Sequence, residues 1–379
     1  MDYIPFNKPF IAGKELFYIA QAVIENLQTS GDGPFTKKCQ EWLEKQMGCR
    51  KALLTHSCTA ALEMAAILAG IQPGDEIIMP SFTFVSTANA FVLRGGIPIF
   101  VDIHPDTLNI NESLIEDAIT SKTRAIVPVH YAGAPCQMDA IMEIAQRKKL
   151  LVIEDAAQAL LSKYKGQYMG AIGQMACLSF HETKNIMSGE GGALLLNDPA
   201  FIERAEIIRN KGTNRNQFFR GQVDKYTWVD IGSSYLASDI LAAFLYAQME
   251  NAEQIIIQRT RIFDLYMEGL RPLADRKYIQ LPPVVEDCQC NGHIFYILVR
   301  SLEERNSLIN FLSQQRISAV FHYIPLHSSP AGRMYGRANG SLEITERVSD
   351  CLLRLPLYYE MTLGNVGHVI SSIERFYHR

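Results

Sequence analysis

Lys184, in the segment SFHETKN, follows an apolar strand-like run and precedes the glycine-rich SGEGG. A lysine so placed is either a solvated surface charge or an amine held in a pocket, deprotonated and nucleophilic. The choice depends on what converges on it. Asp155 ends the run LVIED, 151–155, beside Glu154, and Gln158 would lie one helical turn on, pointing to the same side. Ser179 closes MACLSF just ahead of the lysine. Ser57 and Thr59 open the helix-like HSCTAALEMAA after KALLT, 51–55, where free backbone N–H groups and hydroxyls make a phosphate cradle. Phe82 and Phe84, in PSFTFVST, offer aromatic faces. Each residue alone has a plainer role, as a helix cap or a surface charge. Together they supply an amine, a carboxylate, an amide, hydroxyls and an anion cradle. Pyridoxal phosphate requires that inventory: a lysine to bond it, an acid for its ring nitrogen and donors for its phosphate.

The elements that must position these groups are legible from residue 51 to 197. Apolar runs at 51–55, 76–80, 97–102, 124–129, 151–155, 175–180 and 192–197 alternate with helix-like stretches such as 59–70 and 135–149. Near-continuous apolar strands separated by amphipathic helices predict a largely parallel α/β sheet covered on both faces. Ligands of such sheets bind at the carboxyl ends of the strands, where the polar residues above fall. The segment 238–270 reads as one long helix, broken at most once. Beyond it, strand-like 293–299 and 317–324 flank a helix at 302–315, and a helix at 364–378 follows. The expected division is a large cofactor-binding domain at 1–245 and a smaller α/β domain at 246–379.

Composition narrows the class. The chain has 379 residues, a net charge of −4 and mixed charges, which exclude a basic nucleic-acid stripe. No window is apolar enough for a membrane span, and the first residues lack the pattern of a signal peptide, so a cytoplasmic protein is expected. Eight cysteines are scattered; Cys288 and Cys290 form a single CxC without a second half, and His322 and His327 are five apart, so no metal is expected.

The motifs SCTAALEMA, GDEIIMPSFTFVSTANA, VDIHPDTLNI, PVHYAG, IEDAAQA, LSFHETKN and GEGGALLLND, in this order, resemble the DegT/DnrJ/EryC1/StrS sugar aminotransferases, of the aspartate-aminotransferase-like fold type I. The resemblance covers essentially the whole chain. It implies that Lys184 forms the Schiff base with pyridoxal 5'-phosphate, that Asp155 pairs with the ring nitrogen and that Gln158 contacts the ring hydroxyl. It places Ser57, Cys58, Thr59 and Ser179 about the phosphate and Phe84 against the ring. The family often has Gly-Thr where this chain has Cys58-Thr59. It often has Asn-Tyr-Arg where this chain reads Ser234-Tyr235-Leu236, and that asparagine reaches the phosphate in the neighbouring subunit's site. The implied assembly is a homodimer with shared active sites. L-glutamate is the implied amino donor and a keto nucleotide sugar the acceptor. Within the family, FHETKN, the stretch 208–239 and VFHYIPLH point to the C4 ketone of dTDP-4-dehydro-6-deoxy-D-glucose. The polar residues expected to meet the nucleotide sugar are Lys211, Thr213, Arg215, Lys225, Tyr226, His322 and His327.

Overall fold

The computed structural model describes residues 2–378. The apolar runs become β1 (Lys51–Thr55), β2 (Glu76–Pro80), β3 (Ile97–Val101), β4 (Thr123–Ile126), β5 (Leu151–Asp155), β6 (Met175–Ser179) and β7 (Gly192–Leu196). They lie in the order β1-β7-β6-β5-β4-β2-β3, with the two-residue strand Arg337–Ala338 beyond β3. Every pairing is parallel except those of β7, which runs antiparallel to both β1 and β6.

Both faces are apolar because successive side chains alternate between two layers. Leu54, Ile78, Val152 and Leu178 pack into one cluster with helix α1 (Pro34–Met47), while Leu53, Ile77, Ile153 and Cys177 enter the opposite one with α2 (Cys58–Leu68). Helices α3 (Val85–Val92), α4 (Met138–Lys148), α5 (Asp239–Glu250), α6 (Ala252–Asp275), α7 (Leu302–Gln314) and α8 (Leu363–Tyr377) follow. The first turn of α6 packs Ala252 and Ile255 against the sheet, whereas Ile262, Tyr266 and Leu270 enter a third cluster with α7, α8 and Ile4. That cluster also takes the antiparallel pair β8 (Phe295–Leu298) and β9 (Leu352–Leu355).

The single break allowed for in the helix at 238–270 is present, and two other local expectations are corrected. The long helix at 238–270 is two helices meeting at Asn251, whose side-chain amide donates to the Ala247 carbonyl (3.0 Å) and competes with the helical ladder. No strand forms at 317–324: Ile317 bridges Ile4 and Val320 bridges Arg354, then the chain turns away toward Pro325, which has no N–H to donate. No helix follows Asp155 either. Its Oδ1 accepts from the Ala157 N–H (3.2 Å) in a turn, so Gln158 reaches the same region by turn geometry rather than helical spacing.

Reversal of β7 is what builds the site. Its first residue, Gly192, is paired on one side with Thr55 and on the other with Ser179, at the carboxyl ends of β1 and β6. A Cβ on Gly192 would lie 2.4 Å from the Cys58 nitrogen and 2.4 Å from the Ser57 carbonyl carbon. Both neighbours are backbone and cannot swing aside. Gly192→Ala is therefore expected to displace the start of α2 and to cost about 1–3 kcal/mol of stability. Thermal melts with and without pyridoxal phosphate check this: the melting temperature falls in both, and further where the cofactor is present.

Candidate active site

A cavity of about 790 Å³ opens at the carboxyl ends of the parallel strands. Lys184, Asp155, Gln158, Ser179, Ser57, Cys58, Thr59, Phe84 and His322 all line it. Nine of the residues expected from the sequence thus meet in one space, although they come from five separate stretches of chain.

The cradle is the start of α2. Ser57 caps the helix, its Oγ accepting from the Ala60 N–H (3.1 Å), so its own hydroxyl hydrogen stays free to donate. The first N–H groups of a helix have no intrahelical acceptor, and those of Cys58 and Thr59 stand beside the cavity. Thr59 shares a hydrogen bond with Ser86 (2.8 Å), and the Ser179 Oγ accepts a long one from the His181 N–H (3.4 Å). Burial pushes the Cys58 thiol pKa well up, so this side chain lines the cradle uncharged.

Asp155 is 5% exposed and Glu154, next to it, is fully buried. Strand alternation sends the two carboxylates to opposite faces. Glu154 accepts from His130 Nε2 (2.9 Å) and from the N–H groups of Gly170, Ile172 and Gly173 (2.7–2.9 Å), which makes it a structural anchor. Asp155 faces the cavity. Thr87 donates to its Oδ2 (2.7 Å) and is itself within 2.9 Å of the Thr83 hydroxyl. Gln158 accepts from the Ala132 N–H (2.7 Å) and donates to the Tyr323 phenol (2.9 Å), which fixes the amide across the pocket.

Lys184 Nζ makes no hydrogen bond or ion pair among the described residues. Burial lowers its pKa below the ordinary lysine range; the charge of Asp155 opposes that shift and the charge of Arg354 adds to it. Phe84 caps α3 by position, is 56% exposed and borders the cavity, whereas Phe82 is fully buried against Tyr131 and Tyr323 and is core.

Several contributors escaped the sequence reading. Thr87 orients Asp155 from the first turn of α3. His293 lines the cavity with its Nδ1 2.9 Å from the Asn185 Oδ1; the Asn185 amide donates to the Asn291 carbonyl, so Nδ1 carries the proton and Nε2 is left as an acceptor. Burial, then the charge of Lys184, hold the His293 imidazole far below its usual pKa. Tyr323 and Arg354 come from the segments around β9. Thr87, inside PSFTFVST, and Tyr323, inside VFHYIPLH, fall within motifs the sequence singled out; His293 and Arg354 do not.

The remaining candidates lie elsewhere. His327 is a correction: it does not line the cavity, because Ser81 engages its Nδ1 (2.7 Å) and Glu346 its Nε2 (3.0 Å), tying two loops together. Lys211, Thr213, Arg215, Lys225 and Tyr226 belong to a separate surface segment. There Thr213 bridges Trp228, Arg215 lies 5.1 Å from the Phe219 ring and Tyr226 packs edge-on to Phe218. Ser234 is exposed, bridges Asn210 and does not reach the cradle of its own chain. Cys288 and Cys290 belong to no cluster of three or more metal-ligating side chains among the described residues.

Solved structures share this architecture over the full chain. DesV of S. venezuelae, in complex with a ketimine intermediate, is 30% identical with a TM-score of 0.90 and full coverage of both chains. A Streptococcus pneumoniae protein assigned as a sugar aminotransferase and solved in its PLP form is 26% identical, with 98% of each chain covered and a TM-score of 0.90. The GDP-perosamine synthase of Escherichia coli O157:H7 is 33% identical over 378 residues, 100% of this chain and 99% of that one. Fold and site thus define a pyridoxal-phosphate-dependent transaminase of fold type I. The chain belongs to the DegT/DnrJ/EryC1/StrS aminotransferase family, whose model matches residues 11–374.

Pyridoxal phosphate also fits the residues present: an unpartnered, half-buried amine on the cavity wall, a carboxylate held ready by Thr87, and a helix start cleared for an anion by a glycine whose Cβ would intrude. When bound, the cofactor supplies an electron sink conjugated to the amino carbon. The chain does the rest. With the cofactor in place, Asp155 would hold a proton at the ring nitrogen, the cradle would hold the phosphate, and Lys184 Nζ would carry a proton to and from the substrate carbon.

The lowered amine pKa is measurable without cofactor. In the apoenzyme, trace acetic anhydride should acylate Lys184 faster at pH 8 than exposed lysines, and the rate should fall as pH drops through the depressed pKa. Lys184→Ala should fold and lose the adduct mass that borohydride fixes in the parent holoenzyme. Peptide mass spectrometry reads both.

Proposed function

We propose that this aminotransferase moves an amino group from L-glutamate to the C4 ketone of dTDP-4-dehydro-6-deoxy-D-glucose, giving dTDP-4-amino-4,6-dideoxy-D-galactose, in the cytoplasm. The observation that carries the reaction type is the half-buried, unpaired Lys184 amine on the wall of the Asp155 cavity. The sugar is supported by FHETKN, the stretch 208–239 and VFHYIPLH, which resemble the transaminase that makes this product for enterobacterial common antigen. The site roles given above for Lys184, Asp155, Gln158, Phe84 and the cradle residues are part of this proposal. So is a division into a large and a small domain, placed at 245/246 from the sequence; the packing passes from the sheet (Ala252, Ile255) to the separate cluster around α7 and α8 (Ile262, Tyr266) within α6.

Incubation of the holoenzyme with the dTDP keto sugar and glutamate should yield the amino sugar by mass spectrometry, and proton couplings should show an axial C4 amine. An equatorial amine, or no product, rejects the assignment. The similarity to GDP-perosamine synthase favours a second reading, a GDP-linked keto sugar, and turnover of that substrate alone would establish it.

We further propose a homodimer in which each site takes the segment around 212–235 from its neighbour. Support comes from the exposed apolar and basic side chains gathered there, Trp228 (78% exposed) and Lys225 among them, away from their own chain's cavity. Lys184→Ala and a variant disrupted at Lys225 and Tyr226 should then complement each other. A mixed dimer has one wholly intact site, so co-refolding should restore roughly a quarter of parent activity. Native mass spectrometry verifies the mixed species, and absence of recovery in their presence excludes the shared site.

A further inference from the structure

Buried polar side chains on the segment leading into β8 form a closed set around the residue that follows Lys184. The Asn185 amide donates to the Asn291 carbonyl (2.8 Å), and its Oδ1 accepts from His293 Nδ1 (2.9 Å). The Asn291 side chain accepts from the His293 N–H (3.1 Å) and donates to the carbonyls of Gln158 and Leu160 (2.9 Å each). Arg259, on α6, donates to the carbonyls of Gly292 and His293 (3.2 and 2.8 Å), so the backbone is held as well. Asn185, Asn291 and His293 are all buried. The imidazole therefore has one orientation and one tautomer. The turn that carries Lys184 is also the turn that fixes it.

His293 Nε2 has no protein partner among the described residues, although the ring lines the cavity. It stays an acceptor, because burial and the neighbouring Lys184, Arg259, Arg354 and His322 oppose a second proton. The other buried groups of the cavity are less free: Asp155, Gln158, Ser179 and Tyr323 each already accept from a protein donor. Lys184 Nζ is likewise unpartnered, at the end of a flexible four-carbon stem. A primary amine acting as a base has one lone pair to aim, and the direction of its two N–H groups decides where that lone pair points. A fixed acceptor within its reach sets the direction.

We propose that His293 Nε2 accepts a hydrogen bond from the Lys184 amine whenever that amine is free, and so aims its lone pair at the substrate carbon. His293 is a positioning residue, held in turn by Asn185 and Asn291. The inference rests on the aminotransferase reading but not on which sugar is the acceptor.

Two replacements separate this role from a structural one. His293→Asn keeps a donor for Asn185 Oδ1 and puts nothing at the Nε2 position, whereas His293→Gln can put its amide oxygen there. In rapid mixing at saturating substrate, His293→Asn should slow the L-glutamate half-reaction and the keto-sugar half-reaction alike, by about fivefold or more each. His293→Gln should recover most of both. The halves move together because Lys184 serves both, and the Kd for either substrate should change little. The sugar half starts from the pyridoxamine form with the dTDP keto sugar, or with the GDP-linked one if the parent turns over that alone. A second readout needs no turnover. In enzyme loaded with pyridoxamine phosphate, where Lys184 is unbonded, trace acetic anhydride should give a Lys184 midpoint about half a pH unit lower in His293→Asn than in the parent, since losing an acceptor disfavours the ammonium. If neither variant folds, Asn185→Asp carries the test: a carboxylate against Nδ1–H favours a second proton on the ring, Nε2 ceases to accept, and both half-reactions should slow together at pH 7. Loss in one half-reaction alone, a more active His293→Asn than His293→Gln, or an unmoved Lys184 midpoint each overturns the proposal. If the parent enzyme itself fails to convert its cofactor with glutamate, the aminotransferase reading fails first, and the two failures are distinguishable.

Discussion

An amine drawn partly out of water without a counter-ion is costly to keep charged, and Lys184, half-buried on the cavity wall, sets what the surrounding structure must supply. The cavity holds it near the ends of β5 and β6 with no acceptor in contact, and burial lowers its pKa from the ordinary lysine value. Asp155 is close enough to counter that shift in part, yet its own oxygens are occupied by Thr87 and the Ala157 N–H. Lysine and carboxylate therefore do not collapse into a salt bridge. Each remains available to a molecule that arrives with both a carbonyl-type carbon and a basic ring nitrogen.

That arrangement depends on one reversed strand. β7 enters between β1 and β6 from the opposite direction, so its first residue lies at the site rather than at the far edge of the sheet. The glycine there lets the α2 start approach the sheet closely, and the anion cradle, the lysine loop and the Asp155 turn become neighbours. A parallel strand in the same slot would have placed its carboxyl end there, and the loop carrying Lys184 could not have returned directly.

Polar groups of the cavity divide by task. Asp155 and Lys184 face the cavity, Thr87 and Gln158 bond the groups around them, and Glu154 on the reverse face ties the loop 170–173 to β5. His327 resembles a site residue in sequence but is spent on Ser81 and Glu346. The exposed segment 211–234 carries aromatic and basic groups that its own chain does not use at the cavity, which suits a surface completed by another subunit.

The strand runs of the large sheet were legible to within a few residues because apolar periodicity is a near-neighbour property, written in each segment independently. Ser57, Asp155, Ser179 and Lys184 were legible too, since a parallel sheet delivers residues at strand ends to one side whatever the details. The order of strands was not readable, nor was the reversal of β7. Neither was the fate of 317–324, whose β-rich composition predicts a strand but which the tertiary structure uses to carry His322 and Tyr323 to the cavity. His293 and Arg354 likewise gave no local sign, and Thr87, although inside PSFTFVST, gave none of its contact with Asp155. Their roles follow from which groups remain unpaired once the chain is packed. Hydrogen-bond satisfaction in a closed cavity is a property of the whole fold, so only the tertiary structure could decide which polar side chains are spent on the protein and which are left for substrate.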